Sequence, residues 1–171
     1  MQTERVFLSL GSNVGDRLAY LRKAVQRLAR LPKTVVVRTS SVYESAPVGY
    51  TEQGAFLNQA VEVVTALTPD AFLQATQRIE QALGRERTVR WGPRTLDIDI
   101  VYWGERCISS ERLTVPHPEA ETRRFVLLPL SEIAGDFRAP PRGETVRTLL
   151  ARLGGRQTVE VYRSQRTFEL N

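Results

Sequence analysis

A short stretch near the middle of the chain constrains the fold more than any other segment. Apolar Ile98 and Ile100 alternate there with Asp97 and Asp99. A period of two residues is typical of a β-strand, because successive side chains point to opposite faces of a sheet. The sequence therefore predicts a strand over Leu96–Trp103 that has one apolar and one acidic face.

The segments before this strand alternate between strand and helix patterns. Apolar residues at helical spacing follow Asp16, a predicted N-cap, and stop at Pro32. A second helix is predicted from Thr68 as N-cap, with Pro69 at its first position, to Gly84 as its C-terminal cap. β-Branched and aromatic stretches supply the preceding strands, which are Arg5–Leu10, Val35–Tyr43 and Phe56–Val64.

The resulting order, βαββαβ, predicts a ferredoxin-like α+β fold in which two helices cover one face of an antiparallel sheet. A chain of 171 residues is expected to form one domain, over 1–171, since about 150 residues is a usual domain size. Additional C-terminal elements are also predicted. They are an extended piece at Arg112–Val115, a partly helical stretch at Glu119–Ala134 interrupted by Pro129, a helix near Thr145–Leu153 and a strand at Val159–Tyr162.

Charge and cysteine content limit the partners and the compartment. Lysine and arginine total 24 against 19 acidic residues, and only Lys23 and Lys33 are lysines. Arginine matches phosphate oxygens, so both a nucleotide and a nucleic acid are candidate partners. The single cysteine, Cys107, excludes an intramolecular disulfide. No segment reaches the roughly 20 apolar residues of a membrane span, and we expect a soluble protein of the cytoplasm.

The two aspartates of the predicted strand favour a metal site. Asp97 and Asp99 lie on one face with their Cα atoms about 6.6 Å apart, twice the rise per residue. Two adjacent carboxylates repel each other unless a cation lies between them, and Mg²⁺ binds through one or two carboxylates together with substrate phosphates. Two such ions can clamp the attacking and leaving oxygens of a phosphoryl transfer.

Four arginines precede these acids within Arg85–Arg94, a segment that Gly84, Gly92 and Pro93 predict to be a loop. Phosphoryl transfer needs positive charge where negative charge develops, and a mobile loop can bring arginines onto the phosphates as it closes. The alternative is a solvated charge run that pairs with the acids. The arginines are Arg85, Arg87, Arg90 and Arg94.

Three other features allow both a structural and a functional interpretation. The glycines of Gly11–Gly15 suit a turn that needs a positive φ, or a phosphate contact through backbone N–H groups. His117 lies among basic residues and is either a surface histidine or a phosphate ligand. Phe56 and Asn58 share a strand face, which would let a ring stack on Phe56 and accept or donate hydrogen bonds at the Asn58 amide.

Several blocks together resemble the 6-hydroxymethyl-7,8-dihydropterin pyrophosphokinase family over about Arg5–Phe137. The longest is Arg-Trp-Gly-Pro-Arg-Thr-Leu-Asp-Ile-Asp-Ile at 90–100. The resemblance implies transfer of the pyrophosphoryl group of ATP to the hydroxymethyl oxygen of the dihydropterin, with release of AMP, in folate biosynthesis. The other blocks are Leu-Gly-Ser-Asn at 10–13, Tyr-Glu-Ser-Ala-Pro-Val-Gly at 43–49, Phe-Leu-Asn at 56–58, Gln-Arg-Ile-Glu at 77–80 and Leu-Thr-Val-Pro-His-Pro at 113–118.

The resemblance also implies roles for individual positions. Asp97 and Asp99 would hold two Mg²⁺ ions, and Arg85 and Arg94 would be catalytic arginines of closing loops. Departures such as Phe56, where some members have tyrosine, concern loop and ring contacts rather than the metal site. The ATP-side positions are Gln77, Glu80, Arg87, Arg90, Trp91, Ile100, Arg112, Thr114, His117 and Arg123; the pterin-side positions are Phe56 and Phe125 on the two ring faces, with Asn58, Ser45, Ala46, Pro47 and Val48 along the ring edge.

Two other functional classes fit the predicted fold. A palm-type nucleotidyltransferase or cyclase also sets two acids on such a sheet, but it would need another carboxylate on a neighbouring strand, and none is obvious in the sequence. An RNA-binding ferredoxin-like module would need paired aromatic residues in an RNP-like run, which the sequence lacks. We therefore expect small-molecule substrates and no nucleic-acid or membrane partner, with dependence on Mg²⁺ and ATP as the distinguishing property.

Overall fold

A six-stranded antiparallel sheet forms the centre of the computed structural model, which describes residues 2–46, 54–84, 95–155 and 157–163. Among these residues, four helices and two short two-stranded sheets surround it. The elements are β1 (Glu4–Ser12), α1 (Arg17–Ala29), β2 (Thr34–Thr39), β3 (Val42–Ser45), β4 (Phe56–Thr65), α2 (Pro69–Ala82), β5 (Asp97–Trp103), β6 (Ile108–Ser109), β7 (Thr114–Val115), a 3₁₀ turn (Ala120–Thr122), α3 (Arg124–Ala134), β8 (Arg138–Ala139), β9 (Glu144–Thr145), α4 (Val146–Leu153) and β10 (Val159–Arg163).

The strand order confirms the predicted ferredoxin-like arrangement. The sheet runs β10-β3-β4-β1-β5, and β2 also pairs with β4. Strands β2 and β3 are two halves of one predicted strand, and the break falls at Ser40, whose side chain and backbone both bond to Ala60. The halves together occupy the place of a single strand beside β4, so the βαββαβ order is preserved.

Each face of the sheet has its own hydrophobic core. On one face, Leu8 and Leu10 of β1 pack with Leu21 of α1 and Phe72 of α2, all buried. On the opposite face Phe7 packs with residues of α3 and α4 in a second cluster. Burying apolar area on both faces stabilises the sheet, and it fixes which side chains of each strand face which layer. Within the described ranges, no helix is both long and apolar enough to cross a membrane.

Local signals set the helix ends as predicted. The Asp16 side chain accepts a hydrogen bond from the backbone N–H of Ala19 at 3.1 Å, and the Thr68 hydroxyl accepts one from the N–H of Ala71 at 3.2 Å. These bonds satisfy N–H groups that have no partner within the helix. Helix α2 ends at Ala82 with Leu83 as its C-cap, and the following Gly84 has φ +84°, a conformation that glycine adopts without strain.

The predicted interruption at Pro129 is wrong. Helix α3 runs through Pro129, and the break in the stretch 119–134 falls earlier, at Arg123, between the 3₁₀ turn and the helix. Proline inside a helix costs roughly 3 kcal/mol. Here Leu127 and Leu130 on either side of Pro129 are fully buried in the second core, and this packing outweighs the local preference.

A carboxylate of α3 fixes this helix to the sheet. Glu132 accepts hydrogen bonds from the Tyr43 hydroxyl at 2.6 Å and from the backbone N–H and hydroxyl of Ser41 at 2.9 and 3.2 Å. Burial, followed by the bond to Glu132, raises the pKa of Tyr43 well above its ordinary value. The phenol therefore stays protonated and remains a donor to Glu132 at physiological pH.

Removal of this anchor should destabilise the fold. We expect Glu132→Ala to lower the free energy of unfolding by about 2 kcal/mol, because the partly buried donors of Tyr43 and Ser41 lose a charged acceptor. Urea denaturation followed by circular dichroism measures this. Glu105→Ala, in an exposed turn, is the control and should change the midpoint little. Equal effects of the two substitutions would contradict the anchoring role.

Candidate active site

Three neighbouring strands bring polar residues into one line on the second face of the sheet. Gly11 of β1 lies opposite Asn58 of β4 on one side and opposite Asp97 of β5 on the other. Ser9 lies opposite Asp99 in the same way. Residues directly opposed in an antiparallel pair project to the same face. This end of the face therefore carries an amide, a glycine and two carboxylates side by side.

The two aspartates have the chemistry of a magnesium site. Asp97 and Asp99 are partly exposed and alternate with buried residues of β5. In the part of the chain that the structure describes, the Asp99 side chain has no hydrogen bond or ion pair, and no group of three His, Cys, Asp or Glu side chains gathers to hold a metal. A pair of hard carboxylate ligands that leaves other coordination positions open suits Mg²⁺ bound together with phosphate oxygens.

A buried glutamate forms a hydrogen bond with strand β5 at the residue between these two aspartates. Glu80 of α2 is 6% exposed, and its Oε2 accepts the backbone N–H of Ile98 at 2.8 Å. Ile98 lies between Asp97 and Asp99, on a strand that pairs only with β1 among the described strands of the main sheet. Glu80 thus satisfies an outward N–H of this edge strand and fixes the segment that carries both carboxylates.

An aromatic ring and an amide form the other side of the line. Phe56 lies opposite Ser45, and the Nδ2 group of Asn58 donates to the Ser45 hydroxyl at 2.7 Å and to the Phe56 carbonyl at 3.4 Å. Asn58 is 2% exposed. Because Nδ2 is used within the protein, Oδ1 remains as an acceptor for a ligand N–H group.

Helix α3 adds a second aromatic residue on this face. Phe125 lies in its first turn and is partly exposed. The guanidinium of Arg123 lies 5.5 Å from the centre of the Phe125 ring and is also paired with Glu119. Arg123 is thus held beside the helix start, where its charge can reach an anion.

The histidine of the predicted site lies at the outer edge of β5. The backbone N–H of His117 donates to the Val101 carbonyl at 3.0 Å, and its Nδ1 accepts the backbone N–H of Glu119 at 3.2 Å. A neutral imidazole that accepts at Nδ1 carries its proton at Nε2. The ring therefore presents an N–H donor, and Thr114 lies nearby on β7, which packs beside β5.

The remaining predicted residues divide into three groups. Gln77 and Arg112 are exposed, on α2 and before β7, and Ala46 is exposed just after β3. Ile100 is 4% exposed and belongs to the first core, so a contact with ATP would fall to its backbone. The others lie outside the described residues; they are Pro47, Val48, Arg85, Arg87, Arg90, Trp91 and Arg94.

The prediction that the glycines of Gly11–Gly15 adopt a positive φ in a turn is right for Gly15 and wrong for Gly11. Gly15 has φ +71°, as a turn requires. Gly11 lies inside β1 and is not among the glycines of positive φ, because the strand continues to Ser12. The sequence pattern ended the strand at Leu10 and so assigned Gly11 to the turn.

Sequence reasoning also missed a residue that positions the aromatic side of the site. Arg17, at the start of α1, donates from Nη1 to the Ala55 carbonyl and to the Glu44 carboxylate, both at 2.9 Å. Ala55 directly precedes Phe56, so Arg17 fixes the entry to β4. No local pattern marks this contact, because it joins residues 38 positions apart.

Comparisons with known proteins agree on one family. The model of the family 7,8-dihydro-6-hydroxymethylpterin-pyrophosphokinase (HPPK) matches residues 7–135. The 2-amino-4-hydroxy-6-hydroxymethyldihydropteridine pyrophosphokinase of Bacillus subtilis (strain 168) is 52% identical over 127 residues, which are 74% of this chain and 76% of that protein. The protein of the same name from Methylorubrum extorquens is 48% identical over 87% of this chain and 93% of its own length.

Larger proteins match over part of their length. The bifunctional protein FolKE of Lactococcus lactis is 44% identical over 90% of this chain but only 43% of its own length. A crystal structure of Plasmodium falciparum HPPK-DHPS with pterin and p-hydroxybenzoate has a TM-score of 0.70 at 16% identity and covers 89% of this chain and 42% of that chain. This chain thus spans less than half of these longer proteins, and the structural likeness bears on the fold alone.

The bond between Glu80 and Ile98 gives a prediction for strand β5. We expect Glu80→Ala to speed hydrogen exchange of the Ile98 amide at least about tenfold and to destabilise the fold by about 2 kcal/mol, since a buried N–H loses its charged acceptor. Exchange measured by NMR resolves this amide. Gln81→Ala, on the exposed side of α2, is the control. An unchanged Ile98 exchange rate in Glu80→Ala would contradict the assignment.

Proposed function

The chain belongs to the 7,8-dihydro-6-hydroxymethylpterin-pyrophosphokinase family and so transfers the pyrophosphoryl group of ATP to hydroxymethyl-dihydropterin in folate synthesis; we propose that it does so on the open sheet face around Gly11. The alignment of Asn58, Gly11 and Asp97 across three strands carries this proposal. Neighbouring strands lie about 4.8 Å apart, so the amide side and the carboxylate side are separated by about 10 Å, a span suited to one fused ring and its hydroxymethyl arm.

The aromatic side of the site would bind the pterin. The free Oδ1 of Asn58 accepts from N–H groups of the 2-amino-4-hydroxy ring edge, while backbone groups at Ser45, Ala46, Pro47 and Val48 complete the contacts along that edge. Phe56 and Phe125 stack on the two ring faces. With the polar ring edge held at Asn58, the hydroxymethyl arm at the other end of the ring points across Gly11 toward β5.

The carboxylate side would bind the phosphates. Asp97 and Asp99 would hold the two Mg²⁺ ions, which supply positive charge to the triphosphate when bound. Donors to ATP then come from three directions: the Nε2–H of His117 and the Thr114 hydroxyl beside β5, the Gln77 amide on α2, and the guanidinium groups of Arg112 and Arg123. Glu80 contributes by fixing β5, and the Ile100 backbone lies along the same strand.

The proposed reaction is a single displacement at phosphorus, with no covalent enzyme intermediate. The hydroxymethyl oxygen attacks the β-phosphorus of ATP, the bond from that phosphorus to the oxygen bridging the α-phosphate breaks, and AMP leaves with that oxygen. The hydroxyl proton is released to solvent. Catalysis then consists of placing the two substrates in line and supplying positive charge where negative charge develops. We assign the latter to Arg85 and Arg94, with ATP contacts from Arg87, Arg90 and Trp91.

A single domain over 1–171 and a location in the cytoplasm remain predictions. So does the restriction to small-molecule substrates. The family comparison supports ATP as co-substrate and the pterin as acceptor, and the two carboxylates support Mg²⁺ as the metal.

The reaction products test the proposed function directly. Incubation of the protein with ATP, Mg²⁺ and 6-hydroxymethyl-7,8-dihydropterin should yield AMP and the pterin diphosphate in equal amounts, measured by chromatography and phosphorus NMR. Omission of the pterin or chelation of Mg²⁺ should abolish AMP formation. Formation of ADP instead of AMP would refute pyrophosphoryl transfer.

The metal role of the aspartates gives a separate prediction. Asp97→Asn should lower kcat by about 100-fold or more, because a neutral amide is a poor ligand for Mg²⁺, and it should raise the Mg²⁺ concentration that gives half-maximal rate. The melting temperature should stay close to that of the wild type. Asp70→Asn, in the exposed first turn of α2, is the matched control. An Asp97→Asn variant with an unchanged Mg²⁺ dependence would contradict the assignment.

A further inference from the structure

A glycine inside a central strand requires an explanation. Gly11 is buried, it lies in β1, and β1 pairs with strands on both sides. Glycine in a strand interior is less favourable than alanine, because it loses more conformational freedom on folding and offers no side chain to pack. Glycine at such a position usually marks a backbone that only glycine can adopt, a β-bulge, or a close approach by another molecule.

The first two explanations do not apply to Gly11. Its φ does not lie in the positive region. Gly11 is paired in register with both neighbours, since the pairing with β4 continues to Ser12, the pairing with β5 extends to Gly11, and the one register shift between β1 and β5 lies between Phe7 and Leu8. The backbone at Gly11 is therefore ordinary extended strand, which any residue can adopt.

Steric crowding by other described residues does not explain the glycine at position 11 either. A Cβ atom at Gly11 would lie 3.6 Å from Cδ1 of Phe56, 3.8 Å from Oδ1 of Asn58 and 3.9 Å from the Leu57 carbonyl oxygen. These are ordinary van der Waals distances. The fold thus leaves room for a methyl group between the Phe56 and Asn58 side chains.

The space above Gly11 is bordered by the two halves of the site. Phe56 and Asn58 are its nearest neighbours on the β4 side, and Asp97 lies opposite it on β5. A molecule that contacts both Asn58 and the metal at Asp97 has to cross this position. A methyl group there would occupy the space next to the Asn58 oxygen, which is where a ligand N–H has to arrive.

We propose that Gly11 determines pterin binding through its lack of a side chain, which leaves room for the ring, stacked on Phe56, to reach from Asn58 toward Asp97. This inference rests on the proposed function, because it concerns the path of the same substrate. It makes Gly11 a specificity-determining position that acts by shape alone, with no donor, acceptor or charge.

Gly11→Ala tests the proposal. Pterin affinity, measured by calorimetry in the presence of Mg²⁺ and a non-hydrolysable ATP analogue, should weaken at least about tenfold, and kcat/KM for the pterin should fall by about 10- to 100-fold, since small misplacements of a reacting group are costly. The affinity for the Mg²⁺–ATP analogue alone should stay within about twofold of the wild-type value. The melting temperature should rise by about 2 °C, because alanine is the better strand residue.

A control variant and two contradicting outcomes complete the test of the role of Gly11. Gly155→Ala is the control, because Gly155 has no neighbour within 4 Å of an added Cβ and no positive φ; it should leave both affinities unchanged. Wild-type pterin affinity in Gly11→Ala would overturn the inference, as would a lowered melting temperature with equal loss of both ligands, which would indicate a structural role. Failure of the wild-type protein itself to bind pterin would instead refute the proposed function.

Discussion

The register of three antiparallel strands is the constraint on which the rest of the site depends. A slip of one residue between β1 and either neighbour would move every side chain of that strand to the other face. Asp97 would then point into the first core, and Ile98 would point into the site. The register is fixed because each face of β1 is buried in its own core, with Leu8 on one side and Phe7 on the other. The two cores therefore specify the arrangement of the candidate site as well as stabilise the fold.

The edge strand β5 shows how structural and functional contacts coincide. An exposed sheet edge leaves backbone N–H and C=O groups unpaired. On β5, Glu80 accepts the Ile98 N–H, and the His117 N–H donates to the Val101 carbonyl. Both residues are among the positions that the family resemblance assigns to ATP. The segments that hydrogen-bond to the backbone at the edge of β5 thus also fix the position of His117 relative to Asp97 and Asp99.

Sequence alone predicts those features whose physical cause is local. The period of two around Asp97 and the side-chain caps at Asp16 and Thr68 act within a few residues, and each prediction is confirmed. The helix through Pro129 is not predictable in this way, because its cause is burial against a distant part of the chain. The bond from Glu80 to Ile98 joins residues 18 positions apart, so no local pattern marks it. The assignment of residues to ATP and pterin came from the family resemblance, beyond what spacing indicates.

The site combines several features that do not help the free protein to fold. Asp97 and Asp99 place like charges on one strand face. Strand β5 lies at the edge of the described sheet, and Gly11 has no side chain to pack in the middle of it. Each is locally unfavourable, and the two cores offset their sum. A cation that binds only the folded carboxylate pair relieves the repulsion and stabilises the native state through linkage. Under the proposed function, stability and substrate binding are therefore coupled at the carboxylate pair, because the cation that binds there removes a repulsion that opposes folding of the free protein.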